Sequence, residues 1–402
     1  MDRPLNIVLF DTEKSHADLL PLSYTRPVAE FRIGILTIRE KWERRLNVSC
    51  SYLSADHLRE KFPFVEAEDA IYVRGSVIPD DNFIKALLAL NPGEALFYKE
   101  RMMAARVAYC DFLSANYSKI DYNDDLDVIV YPFDIFRLNG KAIRDDYALI
   151  VKGRKSQKLP DGSTLIGDHK LPDGLPSVFI EEGAELTACV LNVTGGPIYI
   201  GKNAAVMECA SLRGPIALCD NVKIKMGARI YPDTTFGPYC KIGGEVDNTV
   251  IFGYSNKAHD GYLGNAVIGE WCNIGAGTNA SNLKNDYTKI RVWNYPSHSF
   301  MRTDLQFCGL IMGDHSKAGI NTMFNTATVI GVGVNIHGSG FPCTFIPGFS
   351  EGSPAGGMTD VPLKKFCQIA ERVMARRNVP LTDADRRMFE SVFETASHYK
   401  HS

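Results

Sequence analysis

A repeat of apolar side chains at every sixth position runs through the middle of the chain. Its clearest stretch consists of Ile200, Val206, Leu212, Leu218, Ile224, Ile230, Phe236 and Ile242. Neither an α-helix nor an ordinary strand has this period. In a parallel β-helix, each six residues form one short strand and turn one corner of a triangular prism, and the bulky residue points inward. The pattern therefore predicts a solenoid with stacked apolar residues inside it.

The repeat is interrupted twice. It slips after Gly243, resumes at Ile268 and returns from Met312 to Ile336, and a weaker start is visible at Ile180. Solenoids tolerate insertions at their corners, and such insertions often form the binding face. The interruptions are therefore where we expect functional residues.

The first part of the chain has a different pattern. Short apolar runs at Leu5–Phe10 and Asp69–Val73 predict strands, and helical spacing at Gly34–Leu46 and Pro79–Leu90 predicts helices. This alternation favours an α/β layer with a mostly parallel sheet, where ligands bind beyond the carboxyl ends of the strands.

These patterns divide the chain into four parts. We predict an α/β domain over residues 1–150, a linker with a possible short hairpin over 151–177, a β-helix over 178–345, and a C-terminal loop with helices over 346–402. The segment SEGSPAGGMTD is predicted as loop. Two amphipathic helices are predicted at Leu363–Arg377 and Thr382–Tyr399, with Thr382 as the N-cap of the second.

Composition narrows the class of protein. With 402 residues and a net charge of −3, the chain gives no reason to expect binding to nucleic acid or to an anionic membrane. No apolar run approaches the 18 or so residues that span a bilayer. Ten cysteines lack any CxxC pair, and those within the repeat (Cys209, Cys219, Cys240, Cys272) suggest small buried apolar residues in a reducing cytoplasm.

Candidate chemistry lies at the first interruption. His259 stands where the coil leaves its period, so its imidazole can project outward, and neutral imidazole is suited to general-base catalysis near pH 7. The corner Gly275-Ala276-Gly277 offers backbone N–H groups that could stabilise an oxyanion, or it is a tight corner and nothing more. Both interpretations remain open from the sequence.

The surrounding string KAHDGYLGNAVIGEWCNIGAGTNASNL resembles the acetyltransfer motif of the bifunctional N-acetylglucosamine-1-phosphate uridylyltransferase/glucosamine-1-phosphate acetyltransferase family. GEVDNTVI and NLKND resemble the archaeal form more closely. The resemblance covers about residues 178–340. It implies a sugar nucleotidyltransferase-like, Rossmann-like α/β domain, a left-handed parallel β-helix of hexapeptide repeats and a short C-terminal helical tail.

The resemblance also implies roles for individual residues. His259 would accept a proton from the sugar amine as the amine attacks the thioester of acetyl-CoA. The residues implied to hold the amino sugar are Tyr262, Asn273 and Asn282, with Lys257 or Lys284 near its phosphate. Residues implied to contact acetyl-CoA are Ala276, Gly277, Lys317, Ala318, Ile320 and Gly338. The loop Asn279–Phe307 is either a solvated excursion or a lid that reaches a neighbouring subunit, and its position after His259 favours the lid. The resemblance also implies a homotrimer with sites at its interfaces.

The segment Leu20–Pro27 (LPLSYTRP) resembles the LxPLTxTRP stretch of sugar-phosphate nucleotidyltransferases, with three departures. Asp11–Asp18 replaces the glycine-rich phosphate loop, Val28 replaces a lysine, and Ser76 replaces the carboxylate that binds Mg²⁺. Arg26 and Arg32 are alternative phosphate ligands. The candidates for a replacement ligand for Mg²⁺, which an active domain would need, are Asp80 and also Asp11, Asp134 and Asp146.

Three hypotheses follow. The leading one is a cytoplasmic transferase that acetylates glucosamine 1-phosphate and then converts the product to UDP-N-acetylglucosamine with a nucleoside triphosphate. The second is a nucleotidyltransferase, for example a thymidylyltransferase, whose β-helix only oligomerises. The third is a non-catalytic scaffold that binds nucleotide sugars.

Overall fold

The computed structural model describes residues 5–400, which form two compact units. The first contains residues 5–19, 25–31 and 36–131, and the second contains residues 20–24, 32–35 and 132–400. The helix that ends at Val151 therefore belongs to the second unit, although the predicted first domain includes it. The predicted domain boundaries stay a prediction.

The first unit is built on a six-stranded sheet in the order β2-β1-β3-β5-β4-β6. Parallel pairs join β1 to β2, β1 to β3 and β4 to β6, whereas β5 runs antiparallel to both of its neighbours. Five of the six strands therefore run in the same direction, so the sheet is mostly parallel, as predicted, with β5 as its one reversed strand. Its strands are β1 (Ile7–Phe10), β2 (Cys50–Leu53), β3 (Ala70–Arg74), β4 (Glu94–Tyr98), β5 (Arg101–Val107) and β6 (Ser118–Asp121).

Capping side chains define the helices of this unit. Thr12 and Thr37 each form a capping box, with Ser15 and Glu40 respectively, which satisfies the first backbone N–H groups of α1 and α2. The chain following β1 is thus helical rather than an open loop. The helices are α1 (Glu13–Asp18), α2 (Ile38–Leu46), α3 (Asp81–Leu88) and α4 (Tyr109–Ser114), with 3₁₀ turns at Leu22–Tyr24, Val28–Glu30 and Asp56–Leu58.

The second unit is the predicted β-helix, with three parallel sheets as the sides of its coils. The first sheet holds β7 (Thr164–Ile166), β10 (Val190–Asn192), β13 (Ser211–Arg213), β16 (Arg229–Ile230), β19 (Glu245–Asp247), β22 (Tyr262–Gly264), β25 (Asn279–Ala280) and β30 (Met323–Phe324). The second holds β8 (Val178–Ile180), β11 (Ile198–Ile200), β14 (Ile216–Leu218), β17 (Thr234–Phe236), β20 (Val250–Gly253), β23 (Val267–Glu270), β28 (Ile311–Met312), β31 (Val329–Ile330) and β33 (Phe345–Ile346).

The third sheet leads into the corner that holds His259. It holds β9 (Glu185–Leu186), β12 (Ala205–Val206), β15 (Lys223–Ile224), β18 (Lys241–Ile242), β21 (Asn256–Lys257), β24 (Asn273–Ile274), β29 (Lys317–Ala318), β32 (Asn335–Ile336), β34 (Ser350–Ser353) and β35 (Gly357–Asp360). The predicted fold class, with a left-handed β-helix, is confirmed. All eight apolar residues of the clearest repeat are at most 2% exposed and form one continuous core.

Two local predictions were wrong, and the segment predicted as a lid contains strands of its own, which leaves the lid a prediction. The segment predicted as loop after Pro347 forms the antiparallel pair β34 and β35. The segment 279–307 contains a hairpin of β26 (Arg291–Asn294) and β27 (Ser299–Arg302). Cys209 is exposed rather than buried, because it occupies a corner with φ of 61°.

Three helices complete the second unit. The helix α5 (Pro132–Val151) packs on the second sheet, where Asn139 donates to the carbonyl oxygen of Asp233 over 2.7 Å. The predicted C-terminal helices are observed as α6 (Leu363–Ala375) and α7 (Asp383–Ser397), and Thr382 caps the latter as predicted. None of the helices in residues 5–400 has the length and apolar character that a bilayer crossing requires.

Candidate functional site

His259 lies at the corner between the third and first sheets, after β21 and before β22, and its side chain is exposed. Close stacking of backbones builds this corner. A Cβ atom at Gly261 would lie 2.0 Å from the carbonyl oxygen of Thr278 in the next coil, and Gly261 has φ of 123°. Only glycine allows this approach. The imidazole therefore projects away from the apolar core, as the sequence predicts.

Lys257 is buried at an inward position, in register with Ile242 of the preceding coil. Its ammonium donates to the carbonyl oxygens of Gly243 (3.0 Å) and His259 (2.8 Å). Desolvation lowers the pKa of Lys257 to about 8. Lys257 therefore fixes the backbone of the histidine corner from inside, and its ammonium does not reach outward as the predicted phosphate contact requires.

We expect this lysine to make stability depend on pH. Because its folded pKa of about 8 lies below its ordinary value of 10.5, the unfolded chain binds more protons between those two pH values. The free energy of unfolding should therefore rise with pH through this window, by roughly 2–4 kcal/mol for a shift of this size. Urea unfolding of the wild type and of Lys257→Met from pH 7 to 10.5 should show this rise only in the wild type. Parallel curves would contradict the assignment.

The structure brings together two of the predicted sugar ligands at the end of β22 that follows the histidine corner. The Tyr262 hydroxyl accepts a hydrogen bond from the Asn282 side-chain amide over 2.9 Å, and the same amide group donates to the Asn265 side-chain oxygen over 2.7 Å. Burial, with the nearby charge of Asp247, raises the pKa of Tyr262 to about 12. Tyr262 thus keeps its proton near pH 7 and can donate it to a substrate oxygen.

Two carboxylates, not singled out from the sequence, lie beside Tyr262. Glu245 is in direct register with Tyr262, and Asp247 lies two residues further along the same strand. Desolvation raises the pKa of Asp247, and the charges of Asp233 and Glu245 raise it further. Such a cluster favours a cationic amine and disfavours a phosphate close by. Only the string GEVDNTVI could have drawn attention to it.

The remaining predicted sugar ligands lie elsewhere. Asn273 is exposed at an outward position of β24. Lys284 pairs with Asp286 over 3.1 Å and donates to the Thr288 hydroxyl. It lines a groove of about 950 Å³ together with Lys289, Arg291 and Arg302 of the long insertion. This groove therefore offers cations to a phosphate. They belong to residues later in the chain than Lys257.

The predicted coenzyme contacts differ in whether their side chains are exposed. Ala318 is buried at an inward position, so it cannot contact a coenzyme, whereas Ile320 is 69% exposed. Lys317 donates to the carbonyl oxygen of His315 over 2.8 Å. Gly338, with φ of 81°, is exposed at the corner after β32.

Backbone N–H groups of the Gly275-Ala276-Gly277 corner donate hydrogen bonds to neighbouring coils. The N–H of Gly275 donates to the carbonyl oxygen of Ala318, and the N–H of Gly277 donates to that of Asp260. These two groups are therefore not available to an oxyanion, and the geometry favours the interpretation as a tight corner.

In the first unit, a cleft of about 290 Å³ lies next to the carboxyl ends of β1 and β3. Lys14, Arg74 and Arg101 contribute positive charge, and the same wall holds Ser76 and Asp18, which pairs with Lys14 over 2.7 Å. These three cations were missed by sequence reasoning. Their only signal was that they follow or border strands of the predicted sheet. The cleft stands where the sequence replaces the glycine-rich loop.

The two predicted nucleotide ligands belong to different units. Arg26 is buried in the first unit, whereas Arg32 belongs to the second, where it donates to the carbonyl oxygen of Ile35. The candidate metal ligand Asp80 instead caps α3 by accepting from the N–H of Phe83 over 2.7 Å. The sequence had no means of distinguishing a capping aspartate from a ligand.

The residues present do not fit the Mg²⁺ that an active nucleotidyltransferase domain would need. Asp146 accepts from the N–H of Ile35, Asp134 pairs with Arg137, and Asp11 accepts from the N–H of Val28. Burial raises the pKa of Asp11 to about 7. Within residues 5–400, no group of three or more histidine, cysteine, aspartate or glutamate side chains is placed to hold a metal ion.

Residues 7–155 match the family model described as sugar nucleotidyl transferase. The chain is similar to proteins named bifunctional protein GlmU. That of Trichodesmium erythraeum is 32% identical over 143 residues, 34% of this chain and 25% of the relative. That of Synechococcus elongatus is 25% identical over 252 residues, 60% of this chain and 48% of the relative. That of Methanocaldococcus jannaschii is 33% identical over 87 residues, 22% of this chain and 21% of the relative.

Among solved structures, the UDP-N-acetylglucosamine acyltransferase of Francisella novicida covers 56% of this chain and 77% of its own, at 15% identity and a TM-score of 0.30, which supports no argument about function. The chain spans a quarter to about half the length of the first GlmU relatives that it matches. These relatives include bacterial and archaeal proteins, so the closer resemblance to the archaeal form stays a prediction. The predicted resemblance is confirmed as a similarity: the chain is similar to bifunctional GlmU proteins over part of their length, and its region similar to sugar nucleotidyl transferases is followed by a β-helix of hexapeptide repeats.

Proposed function

We propose that this chain is a transferase of nucleotide-sugar biosynthesis whose β-helix transfers the acetyl group of acetyl-CoA to the amine of glucosamine 1-phosphate. One observation carries the proposal. The exposed His259 lies just before β22, and the hydrogen-bonded pair of Tyr262 and Asn282 lies along the side of the coil that this strand forms. The similarity to GlmU proteins supports the same assignment.

The chemistry requires a base, because an ammonium has no lone pair with which to attack a thioester. His259 accepts a proton from the sugar nitrogen as that nitrogen bonds to the thioester carbonyl carbon. The carbon–sulfur bond then breaks, and the proton on the imidazole passes to the departing thiolate. The products are the N-acetylated sugar phosphate and CoA.

The surroundings of this corner suit an amine acceptor. Glu245 and Asp247 attract the cationic sugar amine to the first sheet, and Tyr262 donates to a sugar oxygen. The phosphate, which these carboxylates repel, is bound by Lys284 and the neighbouring cations of the insertion. This arrangement assigns opposite ends of the substrate to oppositely charged parts of the molecule.

The active form is proposed to be a homotrimer, as the family resemblance implies. Light scattering of the purified protein should then give three times the chain mass of 44.5 kDa. A monomer that retains acetyltransferase activity would contradict an interface site.

A second activity is favoured by the cationic cleft of the first unit and by the family match over residues 7–155. We propose that a sugar 1-phosphate oxygen attacks the α-phosphorus of a nucleoside triphosphate there and that pyrophosphate leaves. Arg74 and Arg101, together with Lys14, which pairs with Asp18, would offset the negative charge of the phosphates in place of the metal ion that the resemblance implies.

Two assays on the full chain test these activities separately. Acetyl-CoA with glucosamine 1-phosphate should release CoA thiol, and each of the four nucleoside triphosphates with N-acetylglucosamine 1-phosphate tests for pyrophosphate release. Pyrophosphate release alone would favour a nucleotidyltransferase whose β-helix only oligomerises. Binding of a nucleotide sugar without either release would favour the scaffold.

Arg101→Gln should lower kcat/KM for the nucleoside triphosphate about tenfold, because it removes one exposed cation from the cleft without removing packing. The matched control is Arg59→Gln, which removes an exposed arginine paired with Asp56 in the same unit. Equal pyrophosphate release by both variants would show that the cleft does not bind the substrate.

A further inference from the structure

The outward face of the third sheet carries a column of residues in strict register. From one end to the other they are Glu185, Ala205, Lys223, Lys241, Asn256, Asn273, Lys317, Asn335 and Glu351. Acidic residues occur only at the two ends. The six positions from Lys223 to Asn335 present ammonium and amide groups alone.

A groove of about 310 Å³ opens on the middle of this column. The C-terminal end of α6 brings Arg376 and Arg377 to it, opposite Lys241 and Lys317. Four cations therefore line the groove, and no carboxylate is among its lining residues. At about 30 Å³ for each water molecule, the groove holds roughly ten waters, which is enough room for a diphosphate group.

The concentration of like charge carries an energetic cost. Lys223 lies directly opposite Lys241 on the neighbouring strand, and facing like charges destabilise a sheet. Desolvation lowers the pKa of Lys241, and the charges of Arg377, Lys225, Lys223 and Arg376 lower it further. Elsewhere on the same unit, cations are neutralised, as Lys365 is by Glu351 and Lys400 is by Asp360.

Helix electrostatics explains only part of the cluster. Cations at a helix C-terminus are favourable, which accounts for Arg376 and Arg377. It does not account for Lys241 and Lys317, which belong to β-strands. Arg377 also extends over the column, where it donates to the Asn256 side-chain oxygen over 3.3 Å.

The wall of the groove is well ordered by packing. Tyr254 and Trp271 stack with ring centroids 4.2 Å apart, and Tyr239 and His315 extend the stack on either side. Both faces of the two middle rings are therefore covered, so the groove offers cations and ring edges rather than an open face for a nucleobase.

We propose that this groove is a binding site for the phosphate groups of a small molecule, of the size of a diphosphate. The groove includes Asn273 and Lys317, which the family resemblance implies for substrate and coenzyme, but binding of phosphate there does not require the proposed acetyl transfer. Two sources share this chemistry, the diphosphate of a nucleotide and that of a coenzyme. The phosphates would neutralise Lys241, Arg376 and Arg377, while Asn256 and Asn273 donate hydrogen bonds from the same face.

The test uses the full chain with sodium pyrophosphate, at ionic strength held constant with sodium chloride, in calorimetric titrations and thermal unfolding. The variant Lys241→Gln/Arg376→Gln/Arg377→Gln should lose at least tenfold in pyrophosphate affinity. Without ligand, its Tm should equal or exceed that of the wild type, because the repulsion is relieved. The charge-matched control Lys152→Gln/Lys155→Gln/Lys158→Gln replaces three exposed lysines outside the groove and should bind as the wild type does.

Titrations with CoA and with uridine diphosphate identify the source of the diphosphate. The ligand whose affinity falls from the wild type to the groove variant is the one that the groove binds. His259→Ala should keep the pyrophosphate response, so that failure of the acetyltransferase assignment is distinguished from failure of this one. Equal pyrophosphate affinity of the wild type and the groove variant, or no binding by either, would overturn the proposal.

Discussion

His259→Ala should lower kcat for CoA release from acetyl-CoA and glucosamine 1-phosphate by about 10²–10⁴-fold, the usual contribution of a general base. The side chain is exposed and outside the apolar core, so its removal should leave Tm unchanged. A thiol-trapping assay at saturating substrate, with thermal unfolding in parallel, measures both quantities.

The matched control is His169→Ala, which removes another exposed histidine of the second unit and should retain full turnover. If His259→Ala also turned over at the wild-type rate, a different group would have to accept the proton. The mechanism proposed for this corner would then be wrong.

Phe236→Ala should lower the free energy of unfolding of the β-helix by about 3–5 kcal/mol. Phe236 is fully buried at an inward position, where it stacks in register between Leu218 and Ile251 of the adjoining coils. Its removal leaves a cavity that the rigid coils above and below cannot fill, since each coil is fixed by its neighbours. Urea unfolding monitored by circular dichroism gives the value.

Met226→Ala is the control for this substitution, because its side chain is 69% exposed at a corner of the same coils. We expect a change within about 0.5 kcal/mol. A loss below 1 kcal/mol for Phe236→Ala would mean that the hexapeptide core contributes far less than its burial indicates.

The sequence predicted the β-helix well because one inward position in six must be apolar for the coils to stack. This requirement is local and periodic, so Ile200 through Ile242 could be read without any knowledge of contacts. The hairpins β26/β27 and β34/β35 carry no such repeat. The first hairpin pairs Trp293 with Phe300 across its two strands, and the second joins Ser350–Ser353 to Gly357–Asp360, so neither rests on a repeating position.

The candidate site was harder to predict than the fold. Lys257 occupies an inward position, which the repeat reserves for apolar residues, and only the carbonyl oxygens of Gly243 and His259 make its burial possible. The cationic column was also hidden, because insertions between coils change the spacing. Lys223 and Lys241 lie 18 residues apart, whereas Asn273 and Lys317, which are also paired, lie 44 apart.

The central claim is that the interrupted coil presents His259 to an amino sugar. A crystal structure of the protein with glucosamine 1-phosphate and CoA tests it most directly. The account predicts the sugar nitrogen within about 3 Å of an imidazole nitrogen of His259, with sugar oxygens bonded to Tyr262 and Asn282. A sugar bound away from this corner, with His259 contacting no ligand, would contradict it.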